Sequence, residues 1–98
     1  MASSIKKIFT INNLAPGAST TKSWQKPNPP LAVWYIQAIP LASSFSQGQF
    51  GSVEVEVTRV WRKLNRTLGA DDEHEIWYKI KNVGTEEVDA DVYASSIS

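Results

Sequence analysis

The chain has 98 residues, enough for one domain with a single modest core, and its 42% hydrophobic and 20% charged residues are those of an ordinary globular protein. Ten basic residues balance ten acidic ones and no basic run stands out, so neither the whole chain nor a segment offers the field that holds nucleic acid. Cysteine is absent, which excludes disulfides and thiolate metal sites, and no stretch approaches the roughly 20 apolar residues of a membrane span.

The opening MASSIKKIFTINN lacks the apolar stretch of a signal peptide. The expected location is therefore the cytoplasm as synthesised, with lysis or a specialised secretion apparatus as routes of release. Residues 5 to 11, IKKIFTI, are rich in β-branched and aromatic types and run into the turn formers NNLAPGAS, which predicts a first strand and a loop. TTKSWQ reads as a short strand stopped by KPNPP at 26 to 30, because proline lacks the N–H a ladder needs and restrains its predecessor. That proline segment is expected at an edge or in a loop.

LAVWYIQAI, 31 to 39, is apolar on both alternating faces apart from Gln37, which predicts a central strand covered on both sides and ended by Pro40. ASSFSQGQFGS then reads as a polar crossing with Phe45 and Phe50 as anchors. Three strands follow, at 53 to 64, 74 to 82 and 87 to 94, separated by turn chemistry around Gly69 and Gly84. No segment has a helical period. About six to seven short strands at this spacing predict an all-β fold, an antiparallel immunoglobulin-like β-sandwich over residues 1–98.

VEVEVTRVWRKLN, 53 to 65, turns from acidic to basic along its length, and so does EHEIWYKIK. Antiparallel pairing sets unlike charges opposite each other, Glu54 with Lys81, Glu56 with Lys79 and Arg62 with Glu73, so the gradient is expected to encode register. Continuing to the last strand pairs Lys81 with Glu87, Lys79 with Asp89, Ile80 with Val88 and Ile76 with Val92. Arg59 does not suit the apolar face, whereas Val60 does if one residue is inserted near Thr58; this predicts a β-bulge there that turns Trp61 outward.

KIKNVGTEEVDADVY, 79 to 93, is similar to the strand, Asn-x-Gly-Thr turn and strand of immunoglobulin-like bacterial adhesion modules of the CARDB type. The chain also resembles short bacterial proteins that carry VTRVWRKL before such a hairpin. The resemblance spans residues 53 to 93 at most. It implies the fold and an association with binding or adhesion, and no reaction; those modules are repeats in long exported proteins.

Four tryptophans are the residues most open to a functional reading. Trp34 reads as core. Trp77 falls on the charged face between Glu75 and Lys79, Trp61 joins it beyond the bulge, and Trp24 precedes the proline loop. An indole flanked by hydrogen-bonding residues suits a sugar-binding or protein-binding platform, so the candidate ligand-binding residues are Trp77, Trp61, Trp24, Tyr93 and Lys79. The covering of these rings by a loop or an oligomer partner is the competing reading.

DDEHE, 71 to 75, gathers four carboxylates and the lone histidine, but the spacing of a calcium loop is missing and it reads as a solvated loop tip. His74 as a general base needs a nucleophile and an orienting carboxylate, and serine is so abundant that a triad can be drawn with almost any of them. NRT at 65 to 67 matches a glycosylation sequon and reads as turn. No catalytic set and no cofactor follow. The expectation is a non-enzymatic binding module contacting a carbohydrate or protein surface. Its alternatives are a self-associating structural protein using unpaired edge strands, or a small secreted effector or toxin.

Overall fold

The structure, a computed structural model, describes residues 3–25, 27, 32–42, 52–66, 68–69 and 72–97. Six strands carry these residues: β1 (Ser3–Leu14), β2 (Ser19–Gln25), β3 (Val33–Ala42), β4 (Val55–Asn65), β5 (Glu73–Asn82) and β6 (Val88–Ile97). They form two antiparallel three-stranded sheets, ordered β1-β6-β3 and β2-β5-β4. The inner faces pack together: Ile11, Leu14, Val88, Ala90 and Val92 of the first sheet join Tyr78 and Ile80 of the second in one buried cluster. The all-β expectation is met, with two sheets sharing a core.

The β1 to β2 connection is built by Ala15, Pro16, Gly17 and Ala18. The Ala18 N–H donates to the Ala15 carbonyl at 3.0 Å and Gly17 has φ 79°, the pattern of a type II turn with proline second and glycine third. This turn carries the chain from one sheet to the other.

The last two strands depart from expectation. β5 and β6 do not pair; they lie in different sheets, and Ile80 and Val88, expected as ladder neighbours, belong to one core cluster built from both sheets. The backbone groups that would close a hairpin are used elsewhere. Val83 N–H donates to the Glu54 carbonyl and Thr85 N–H to the Ser52 carbonyl, both at 3.1 Å, while Ser52 N–H donates to Thr85 Oγ1 at 3.0 Å. The Asn-x-Gly-Thr stretch is therefore an arch between sheets, not the turn of a β5–β6 hairpin.

β3 is an edge strand, not the doubly covered centre expected of it. Ala32 and Trp34 are buried, but on the other face Val33 and Tyr35 are 59% and 58% exposed, with Ile39 and Leu41 also exposed. The central place goes to β6, whose inward Val88, Ala90, Val92 and Ala94 are all buried. β3 also runs through Pro40, opposite Ala90, to Ala42. An edge strand makes ladder bonds on one side only, so a proline N–H missing from the other side is tolerated.

The bulge near Thr58 is present: register shifts between Val57, opposite Ile80, and Arg59, opposite Lys79. Thr58 Oγ1 donates to the Lys79 carbonyl at 3.3 Å across it. The charge register, however, is displaced. Glu56 faces Lys81, Lys63 faces Glu75, and Arg62 faces Ile76 rather than Glu73, which faces Asn65. Before the bulge the slip is two residues, which keeps every side chain on its face, so hydrophobicity cannot oppose it, and exposed charge pairs differ by only about 1 kcal/mol or less. Beyond the bulge the inserted residue makes the slip three and turns Arg62 to the inner face, opposite Ile76. The expectations for Leu31, for most of the proline stretch, for Phe45 and Phe50, for Thr67 of the sequon and for Asp71 concern residues outside those described.

Tyr78 is buried between the sheets, and burial pushes its phenol up to about 12. A raised acid pKa means that the fold favours the neutral form, with the stabilisation intact below the ordinary tyrosine range and lost as pH rises through the folded value. The urea midpoint should fall between about pH 10 and 12, where tyrosine titrates, and fall less in Tyr78→Phe.

Asn82 is fully buried at the arch. Its Nδ2 donates to the Leu14 carbonyl at 2.8 Å and to the Glu86 carbonyl at 2.7 Å, and its Oδ1 accepts from Gly84 N–H at 2.9 Å. Asn82→Ala should lower unfolding free energy by about 2 to 4 kcal/mol in urea denaturation, because three buried partners lose their bonds at once.

Candidate functional site

The outer face of the β2-β5-β4 sheet is assembled by the bulge at Thr58. Before it Glu56 points outward; after it Arg59, Trp61 and Lys63 do, each two residues from the next on one face of the strand. β5 presents Glu75, Trp77 and Lys79 beside them, and β2 adds Ser23 opposite Trp77 and Thr21 opposite Lys79. Trp61 pairs directly with Trp77.

The two indoles stack with centroids 5.9 Å apart and planes 24° from parallel. The Arg59 guanidinium lies 4.2 Å from the Trp61 centroid, and Lys63 Nζ lies 5.7 Å from that of Trp77. Arg59, Trp61, Trp77 and Lys63 thus make one ladder in which each ring meets a cation and the other ring. Aromatic pairs of this kind contribute about 0.5 to 1.5 kcal/mol beyond burial, and exposed cation–π contacts about 0.5 to 1 kcal/mol. The ladder also explains how Arg59 and Lys79, two cations, come to lie opposite each other: the Arg59 guanidinium lies over the indole of its own strand.

Glu75 closes one end. Its Oε1 accepts from Trp77 Nε1 at 3.2 Å. Its carboxyl lies below the ordinary glutamate range, chiefly through a hydrogen bond with Asn65, then through Trp77 and the nearby charge of Lys63.

Of the five residues expected to bind ligand, Trp61, Trp77 and Lys79 come together on this face. Trp24 does not. It faces inward opposite Ile76 and meets Trp34 edge to face, centroids 4.8 Å apart at 85°, with Lys6 Nζ about equally close to both rings at 5.6 and 5.5 Å. Tyr93 lies on β6 between Lys7 and Gln37, on the outer face of the opposite sheet, near the Lys7 to Asp91 ion pair of 3.6 Å. Arg59, Lys63 and Glu75 were missing from the sequence-based set. Their signal is the two-residue spacing around each tryptophan, Arg59-x-Trp61-x-Lys63 and Glu75-x-Trp77-x-Lys79, once both segments are read as strands.

His74 lies on the inner side of β5, where its Nδ1 accepts from Arg62 Nε at 3.3 Å. Among the described residues no group of three or more His, Cys, Asp or Glu is placed to hold a metal ion. No described helix is long and apolar enough to cross a membrane. No family model, curated protein or solved structure matches this chain.

Because the Glu75 carboxyl is held below its ordinary range, its bond to Trp77 should persist as pH drops through that range and be lost only as pH falls through the depressed value. The Trp77 indole N–H resonance should therefore titrate with a midpoint below that of a free glutamate. Asn65→Ala should raise the midpoint more than Lys63→Ala, as read by heteronuclear NMR.

Proposed function

We propose that this chain is a non-enzymatic binding module, a small immunoglobulin-like sandwich that meets a protein surface with the outer face of its β2-β5-β4 sheet. The observation that carries this reading is the partly exposed Trp61–Trp77 stack with Arg59, Lys63 and Lys79 around it. Tryptophan and arginine are the residues that supply most of the energy at protein interfaces, and a stack pre-ordered by its neighbours loses little freedom on binding.

A carbohydrate is the other candidate for this face. Sugars stack on open ring faces, and here each ring already meets its partner and a cation, so a sugar has to displace Arg59 or Lys63 first. A protein that meets ring edges and cationic tips does not. The likeness of residues 79–93 to adhesion modules of the CARDB type fits binding and is silent on chemistry.

Self-association is favoured by a separate observation. Val33, Tyr35, Ile39 and Leu41 form an exposed apolar row on the outer face of β3. That row lies on the other sheet, so the two readings separate by mutation.

The test is binding of the labelled chain to a protein array and a glycan array, with light scattering for mass. The expected result is protein hits that weaken about 30-fold or more in Trp77→Ala, the loss typical of an interfacial hot spot, with a mass of one chain. Blank arrays, or hits untouched by Trp77→Ala, would overturn the outer-face reading. A mass that is a multiple of 10.9 kDa and reverts in Tyr35→Glu would transfer the function to β3.

A further inference from the structure

Along the outer face of the β4–β5 ladder the charged pairs are not all of one kind. Glu56 is opposite Lys81 and Lys63 is opposite Glu75, two unlike pairs, but between them Arg59 is opposite Lys79. The bulge makes this so: in an unbroken ladder Lys79 would face the neutral Thr58, and the inserted residue brings Arg59 there instead. Side chains directly opposite on one face have Cβ atoms about 4.5 to 5.5 Å apart, close enough for like charges to disfavour the pair.

Arg59 and Lys79 are both exposed, and among the described residues neither makes an ion pair. On its other side Lys79 is opposite Thr21 of β2, a hydroxyl without charge. Glu75, the acid at the far end of the indole pair, is bonded to Trp77 and Asn65 and answers Lys63. Arg59 meets Trp61, with its guanidinium 4.2 Å from the ring centroid. A guanidinium over a ring uses its flat face there and keeps its in-plane N–H groups for an acceptor. The whole chain has zero net charge, so this concentration of cations is local and not the overflow of a basic protein.

Given that the outer face is the contact surface, we propose that its partner presents an acidic segment, one aspartate or glutamate side chain lying between Arg59 and Lys79 and an aromatic or aliphatic neighbour resting against the Trp61–Trp77 pair. The warrant is charge complementarity. A carboxylate between two cations turns one unfavourable pair into two favourable, charge-assisted ones, so the complex gains the relief of a repulsion that the free protein carries. A local conflict of this sort, kept in an otherwise consistent ladder, is where function is expected. Trp61 and Trp77 are each two residues from the cations, about 6.5 to 7 Å along a strand, which is also the spacing of alternate side chains in an extended peptide. Acid and aromatic at every second position of the partner therefore match cation and indole here. A neutral segment gains the apolar contact alone and a basic one is repelled, so the same two charges select the partner.

The experiment is an NMR titration of the full chain with the capped peptide Gly-Tyr-Thr-Glu-Thr-Tyr-Gly, and in parallel with its forms carrying glutamine or lysine in place of glutamate. The acidic peptide should saturate with shifts centred on Thr21, Arg59, Trp61, Trp77 and Lys79, and bind at least about tenfold more tightly than the glutamine form, with the lysine form weakest. Lys79→Glu sets a carboxylate opposite Arg59, which suits the fold and fills the site, and should weaken the acidic peptide at least about tenfold. Arg59→Gln should weaken it as well and leaves the indoles in place. Equal affinity of the acidic and glutamine peptides, shifts centred elsewhere, or no saturable binding would overturn the acidic partner. Tighter binding of a sulfated disaccharide than of the acidic peptide would overturn it in favour of a glycan. The two levels fail separately: array hits that weaken in Trp77→Ala but not in Lys79→Glu would remove the acidic partner and keep the protein contact, whereas hits untouched by Trp77→Ala remove the contact itself.

Discussion

The fold depends on Asn82. One amide side chain, wholly buried, receives Gly84 N–H and donates to the carbonyls of Leu14 and Glu86, while its backbone N–H donates to Ala18 and its carbonyl accepts from Gly17. It therefore ties the end of β1, the start of β2 and both sides of the β5 to β6 arch. These two arches are where the chain passes between sheets, so this residue fixes how the sheets sit on each other at that end. Each bond adds only about 1 kcal/mol net, but a buried amide that loses its partners costs considerably more, and that asymmetry makes alternative arrangements unfavourable. Gly84 completes the junction. A Cβ there would lie 2.9 Å from the Glu54 nitrogen and closer still to the Ser52 carbonyl, so only glycine lets the segment before β4 cross the arch.

With the sheets so placed, the core follows from size. β6 contributes Val88, Ala90, Val92 and Ala94, and the two alanines leave room for larger side chains such as Tyr78 and Ile76 of β5. The strands then adjust by bulges. β1 shifts register between Lys7 and Phe9 and again between Ile11 and Leu14, where Asn13 takes φ 58° and its N–H donates to Asp89. β4 shifts at Thr58, and that shift is what sets the alternate residues Arg59, Trp61 and Lys63 outward. The candidate surface is thus a consequence of the inner packing: one extra residue keeps Val60 facing in, opposite Tyr78, and sends the tryptophan out.

What was legible in the sequence is what alternation alone determines. The Val-Glu repeat of β4 is regular enough that its failure at Arg59 exposes the bulge, and the bulge exposes Trp61. Alternation is blind to which strand lies beside which. β3 is apolar on both faces, so its pattern fits a central strand, yet it lies at an edge because β6, with small inward residues, is the better centre. β5 and β6 would match as a hairpin as well as they do across the core, and the choice is made by the Ser52 and Glu54 carbonyls, more than twenty residues away in the chain. In β2 the pattern misleads. Lys22 faces inward at the rim, with its ammonium 4.8 Å from the Phe9 ring, and Trp24 follows it in. A lysine that extends its stem over apolar surface is indistinguishable in sequence from one that points to water.

The same edge strands raise a hazard that the fold answers locally. β3 offers a long edge with an exposed apolar row, a template for adding a strand from another chain. Two features oppose this. Pro40 removes one donor within the strand, and Arg62 holds the carbonyl of Ala32 just before it. A strand laid along β3 would lack a bond at one end and have to displace a guanidinium at the other. Contacts through the flat outer face meet neither obstacle, because they require no backbone pairing. The exposed row on β3 is thus suited to surface packing, which is reversible and limited in extent.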